Sequence, residues 1–270
     1  MSEQASPVAE RVVVLMYHRI GVASSDWEEK YCVAPERFSA HMHALRDAGM
    51  RPCSIDEFVA WMQGQQALPS GSFVLTFDDG FHGVYEHAAP VLAKFGWPAT
   101  VFLVSDLLGK RDIWCKKENP SGKTYPLFGQ AEIEVMRGQG FSFHSHSRTH
   151  ADLSTLPDDL LRNELEGSRT ELESMLGAPV PYVAYPYGHI NDRVLQAAQE
   201  AGYEAGFSVQ PGFNRPGQSL MRIRRLDVFG TDTAANLLRK VRFGTNDGSW
   251  GKMARYYGKQ VMEKILGSSK

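Results

Sequence analysis

The sequence predicts an α/β fold of the closed or nearly closed (β/α) barrel type, and three observations lead there. Short β-branched or aromatic runs recur at 12–16, 73–77, 100–104, 141–143, 182–185, 205–208 and 223–228. Patterns of helical period stand between them. Strands and helices alternating in this way form parallel βαβ units, and seven or eight units in about 230 residues fit a barrel better than an open sheet.

Taken in order, the first run leads into Tyr17 and His18. The segment 35–48 then places Phe38, Met42 and Leu45 at helical spacing, and 157–176 puts Leu161, Leu165 and Leu172 on one face. Further helices are predicted at 55–63, 84–95, 130–137, 192–201 and 233–241. One stretch breaks the rhythm: 106–129 holds Pro, Gly, Asn and Lys residues around Trp114 and reads as a long loop. Loops of that length are usually functional or mobile.

Composition narrows the function classes. The chain has 270 residues, 43% hydrophobic and 22% charged, with 29 Lys and Arg against 31 Asp and Glu. That is a globular profile, neither disordered nor collagen-like, and its pI of about 6.5 argues against general nucleic-acid binding. The cysteines Cys32, Cys53 and Cys115 are odd in number and lack metal-type spacing, so three reduced, buried thiols are expected. The longest apolar run, 12–17, is too short for a membrane span or a secretory core, which places the mature chain in the cytoplasm as an expectation.

The residues suited to chemistry follow directly after the apolar runs, and in a parallel barrel the C-terminal strand ends share one face. Asp78-Asp79-Gly80 is either a plain turn or a pair of carboxylates pointing apart, one to bind a metal and one to act as a base beside it. His146 and His150, spaced i and i+4, face the same way on a helical turn and join Asp79 in a His-His-carboxylate set with open positions. Zinc is the first choice of ion, since imidazole suits it and its bound water is strongly acidified. His144 shares a face with His146, either as a neighbour of the ligands or as a packed histidine. His18 ends the first run and is either structural or the proton donor that an amine leaving group needs. Tyr187 and Gly188 allow a tight turn whose N–H could face an oxyanion. Of the adjacent Arg224 and Arg225 only one can point into the barrel mouth, and Arg225 is assigned to orient Asp78.

Thr76-Phe77-Asp78-Asp79-Gly80, His146-Ser147-Arg148-Thr149-His150 and Tyr185-Pro186-Tyr187-Gly188, in that order, closely resemble the motifs of the polysaccharide deacetylase family, carbohydrate esterase family 4 with the NodB-homology domain. The likeness runs over residues 12–228. It implies a distorted (β/α) barrel that removes N-acetyl groups from hexosamine polymers with a divalent metal, usually zinc. It makes Asp78 the general base, Asp79, His146 and His150 the metal ligands, and the Tyr187 N–H part of the oxyanion hole. Two positions depart from the usual pattern: Ala184 stands where the family has Arg, and no histidine follows His189 to serve as the late acid. The chain instead resembles the branch with rearranged motifs, which includes poly-N-acetylglucosamine deacetylases, where an early Tyr-His supplies the acid. That maps onto Tyr17 and His18.

The expected division is a polar segment 1–11, a deacetylase barrel 12–236 and a basic tail 237–270. The tail carries eight basic and two acidic residues, against 21 and 29 in the rest. Met253, Tyr257, Val261 and Ile265 recur every four residues there, with Lys252, Arg255 and Lys259 opposite, so an amphipathic helix would rest on an anionic membrane surface or pack on the barrel. The expected partner is an acetylated amino-sugar glycan, polymeric or lipid-linked, with no nucleic acid. The rivals are another non-peptide amide hydrolase, such as an amino-sugar deformylase, and a non-catalytic glycan-binding relative.

Overall fold

The computed structural model describes residues 8–248. Seven strands occupy the predicted runs: β1 (Val13–Tyr17), β2 (Ser72–Phe77), β3 (Ala99–Leu103), β4 (Phe141–Ser145), β5 (Tyr182–Ala184), β6 (Ala205–Phe207) and β7 (Leu226–Asp227). They lie in the order β7-β1-β2-β3-β4-β5-β6 with every pairing parallel, and the short strand Arg51–Pro52 is added beside β2. β6 and β7 do not form a ladder. Across that seam a parallel bridge joins Phe207 to Ile223, and Ser208 N–H donates to the Ile223 carbonyl at 2.8 Å, so the sheet curls into an incomplete barrel. The last predicted strand, 223–228, is regular only at Leu226–Asp227 because the chain before it crosses the seam.

Helices follow the predicted periods: α1 (Pro35–Asp47), α2 (Ile55–Met62), α4 (Gln130–Arg137), α6 (Asp192–Glu200) and α7 (Ala234–Phe243), with α3 at 84–95 and α5 at 158–176. Local chemistry starts them where it should. Pro35 opens α1, and Ser54 with Glu57 closes a capping box at the start of α2. Both α3 and α5 contain a π-helical turn, Val84–Ala88 and Asn163–Gly167, a local feature that helical periodicity does not reveal. α7 runs across position 236, and Leu237 and Val241 are buried in the main core. The expected amphipathic helix of 253–270 and the first residues of the 1–11 segment lie outside the described residues. No helix among the described residues is long and apolar enough to cross a membrane.

Two apolar layers result from strand alternation. Leu15, Tyr17, Leu75, Phe77, Val101, Leu103 and Phe143 face outward under the helices. Val14, Val74, Phe102, Tyr182, Ala184 and Phe207 fill the interior, where Phe58, Trp61 and Met62 of α2 join them. The inward parity of β1, β2, β4 and β7 continues to His18, Asp78, His146 and Asp227. This is what gathers the polar groups at one mouth. Cys32 and Cys53 are buried free thiols as expected, whereas Cys115 is only half-buried in the long loop.

Candidate active site

Asp78 and Asp79 follow directly after β2 with different side-chain directions because the backbone turns sharply at Asp79. Asp78 N–H still bonds the Tyr17 carbonyl at 2.9 Å, while Asp79 takes φ +74°. The next turn, 146–150, is not helical, contrary to the spacing argument. Ser147 and His150 both have positive φ, of 61° and 63°, and the two imidazoles converge through that tight loop instead. Glu164, in the π-helical turn of α5, holds the loop by accepting from Arg148 N–H and Thr149 N–H, each at 2.9 Å, and from the Thr149 hydroxyl at 2.6 Å. Tyr187, at φ +59°, completes the set of non-glycine residues with positive φ among those described. All four lie in the three motifs, and such strain persists only where surrounding structure enforces it.

The ligand atoms of Asp79, His146 and His150 all lie within 4.8 Å of one another, and all three residues are buried. Asp79 Oδ1 is 3.4 Å from His146 Nε2 and 3.3 Å from His150 Nε2, yet it has no hydrogen-bond partner. His146 Nδ1 is 2.8 Å from the Ala184 carbonyl, so Nδ1 carries the proton and Nε2 presents a lone pair to the same point. Buried acceptors facing one another fit a divalent cation, and two imidazoles with one carboxylate suit the zinc-like class. Burial takes the His146 imidazole down to about 4, which keeps it neutral and able to ligate. Burial would raise the Asp79 carboxyl, but the His150 and His146 imidazoles outweigh it and bring it to about 2.

Asp78 lies beside this cluster, its Oδ2 3.9 Å from His146 Nε2. Arg225 grips it with both arms of its guanidinium, at 2.6 Å to Oδ1 and 2.8 Å to Oδ2, while its Nε bonds the Ser208 carbonyl. Arg225 is fully buried, as the inward assignment over Arg224 requires. Burial works to raise the Asp78 carboxyl, but the Arg225 charge prevails and holds it below its usual range.

These groups open on a cavity of about 460 Å³ that His18 also lines, together with the aromatic side chains Trp27, Tyr31, Trp114, Tyr125 and Tyr187. The long loop forms one wall. It is tied down by a bridge of Phe81 to Leu127 and by Asn119 and Tyr125 bonding buried Glu28, while a bridge of Arg111 to Pro126 closes the loop on itself. Asp227 was not singled out from sequence, although it lies at the cavity wall two residues from Arg225 and so shares its parity. Burial raises its carboxyl, opposed by the charges of His18 and Arg225. Asn246 meets Asp227 twice, accepting from its N–H at 2.9 Å and donating to Oδ2. His144 sits deeper in the barrel, 4.6 Å ring to ring from Tyr182, and makes no hydrogen bond to the cluster.

Known proteins share both chain and fold. The poly-beta-1,6-N-acetyl-D-glucosamine N-deacetylase of Staphylococcus epidermidis is 27% identical over 239 residues, covering 80% of this chain and 78% of that one. The structure of IcaB from Ammonifex degensii matches with a TM-score of 0.70 at 25% identity, over 82% of this chain and 92% of that one. The Streptococcus pyogenes deacetylase PplD shares the fold with a TM-score of 0.73 at 24% identity, over 86% and 98%. The family model for polysaccharide deacetylase matches residues 65–206, from before Asp78 to past Tyr187, and the chain belongs to that family of N-acetyl amide hydrolases.

Proposed function

We propose that the protein is a metal-dependent N-deacetylase acting on an N-acetylated amino sugar in a polysaccharide or a lipid-linked glycan intermediate. The observation that carries this is the Asp79, His146 and His150 cluster with the Arg225-clamped Asp78 at its side. The family makes the reaction hydrolysis of an N-acetyl amide, and the aromatic walls of the cavity suit the apolar faces of a sugar ring.

Asp79, His146 and His150 would hold the ion, with Zn2+ the first choice, and bound there it would polarise the acetamide carbonyl and acidify a water. Asp78, kept ionised by Arg225, is a weak base, so it suits removal of a proton only from a water already acidified. The Tyr187 N–H donates to the carbonyl oxygen as negative charge develops there. His18, which lines the cavity beside the cluster, gives a proton to the departing nitrogen. With Ala184 unable to reach Asp78 by charge, the guanidinium on that carboxylate is supplied by Arg225.

The test is acetate release from a panel of acetylated and formylated amino sugars, starting with short β-1,6-linked N-acetylglucosamine oligomers. Activity should fall on chelation and return with added Zn2+. Formate release without acetate release would favour the deformylase class, and turnover indifferent to chelation would overturn the metal assignment.

A further inference from the structure

One short turn of the long loop touches two parts of the site at once. Residues Ile113–Lys116 form a 3₁₀ turn, continued by Asn119 N–H bonding the Cys115 carbonyl at 2.8 Å. Trp114, within the turn, and Glu118, just after it, both line the cavity. The Trp114 ring stacks on the His150 imidazole with centroids 4.5 Å apart and planes 14° from parallel. Tyr187 meets the same imidazole edgewise at 4.7 Å and 74°, and its hydroxyl donates to Glu118 Oε1 at 2.9 Å. His150 and Tyr187 are both at positive φ.

His146 and His150 are oriented by different means. His146 is fixed through its Nδ1 on the Ala184 carbonyl, whereas His150 Nδ1 is buried and has no hydrogen-bond partner. A ligand imidazole without such a bond needs another constraint on its plane, and the Trp114 face supplies one. Tyr187 also needs a constraint, because a non-glycine residue in the left-handed region relaxes unless held. The Glu118 bond ties its far end to a loop that is itself anchored on buried Glu28.

We propose that Trp114 and Glu118 are positioning residues that act as a bracket, Trp114 setting the plane of His150 for the cation and Glu118 holding Tyr187 so that its N–H stays aimed at the substrate carbonyl. The inference rests on the metal and oxyanion roles assigned above. Neither residue touches the reacting atoms. One loop turn thereby couples cation binding to the donor that stabilises developing charge.

The experiment titrates the metal-stripped full chain with Zn2+ in a calorimeter and measures kcat and KM on the best acetylated oligomer. Trp114→Ala should weaken Zn2+ about tenfold or more, the range typical of groups that orient a ligand, and Trp114→Phe should restore most of it. Glu118→Ala should leave Zn2+ affinity and KM unchanged while kcat falls about tenfold, and Glu118→Gln should recover it, since the amide oxygen accepts the same bond. Wild-type Zn2+ affinity in Trp114→Ala would overturn the first half, and wild-type kcat in Glu118→Ala the second. If Trp114→Ala does not fold, the Trp114→Phe and Trp114→Leu affinities decide instead, with equal values counting against the bracket. Should the wild type release no acetate from any sugar, the functional assignment falls while the Zn2+ titrations still judge the hold on His150.

Discussion

Asp78 is asked to remain charged in a buried site and yet to accept a proton, and Arg225 resolves the first demand at the expense of basicity. If Asp78 is the base, Asp78→Asn should bind Zn2+ as the wild type does and lose at least about a hundredfold in turnover. Near-normal rates would remove it from that role. His18→Ala should likewise keep the ion and lose turnover, and loss of Zn2+ on titration would make His18 a ligand instead. Arg225→Met leaves a buried carboxylate without its partner, a change that costs about 3–5 kcal/mol near neutral pH. Because the native Asp78 carboxyl is depressed, the stability it contributes is present above the unfolded carboxylate range near pH 4 and is lost as pH falls through its lower folded value. In the Met variant burial instead raises that carboxyl, so its deficit should shrink as the pH is lowered from about 7 to about 4.5. Urea titrations at the two pH values check this, and a deficit that does not change would mean that Asp78 is not what makes the variant unstable.

At the scale of elements, the ends of the strands and their parity decide which side chains meet. Position directly after the strand runs brings His18, Asp78 and His146 to one mouth, and parity, a steric property of extended chain, turns Arg225 rather than Arg224 inward onto Asp78. Parity is less informative at the turns. The i and i+4 spacing of His146 and His150 suggested a helix, but positive φ at Ser147 and His150 depends on Glu164, a partner sixteen residues from Arg148 that no local pattern reveals. The turn after β5 was legible through Gly188, which has φ +68° and would bring an added Cβ within 2.1 Å of Val209 Cγ2. Gly188→Ala, strained at this φ and pressed against the Val209 side chain, should disturb the turn beside Tyr187 and lower kcat about tenfold or more while Zn2+ binding persists. Unchanged kcat would show that the Tyr187 N–H is not placed by this turn. Asp227 and the role of Trp114 are not legible in the sequence for another reason: one is a single acid in a two-residue strand and the other a single ring in the long loop, and only tertiary contacts distinguish them.

At the scale of the molecule, the cavity exists because the long loop is fastened to the chain after β1, and Glu28 is the fastening. It is buried, bonded by Arg19 at 2.8 Å, by Ser24 N–H at 2.8 Å, by Asn119 at 3.0 Å and by the Tyr125 hydroxyl. Arg19 also lies over the Tyr125 ring, with its guanidinium carbon 3.6 Å from the centroid. Two segments 91 to 97 residues apart in sequence are joined here, which is why the loop is recognisable as irregular but its closure is not legible in the sequence. Burial alone would raise the Glu28 carboxyl, yet the Ser24, Tyr125 and Asn119 bonds prevail and take it to about 2. A depressed carboxyl contributes stability that is complete above its unfolded value near 4.5 and is lost as pH falls from there towards 2. Glu28→Gln removes the charge at every pH, so at pH 7 its loop should exchange amide hydrogens faster than the wild-type loop, with the barrel strands unaffected. As the pH drops below about 4.5 the wild-type loop should approach the variant, because protonated Glu28 resembles the amide. Hydrogen exchange over residues 106–129 at several pH values measures both effects, and equal protection in the two proteins at pH 7 would show that the loop is closed by its other contacts.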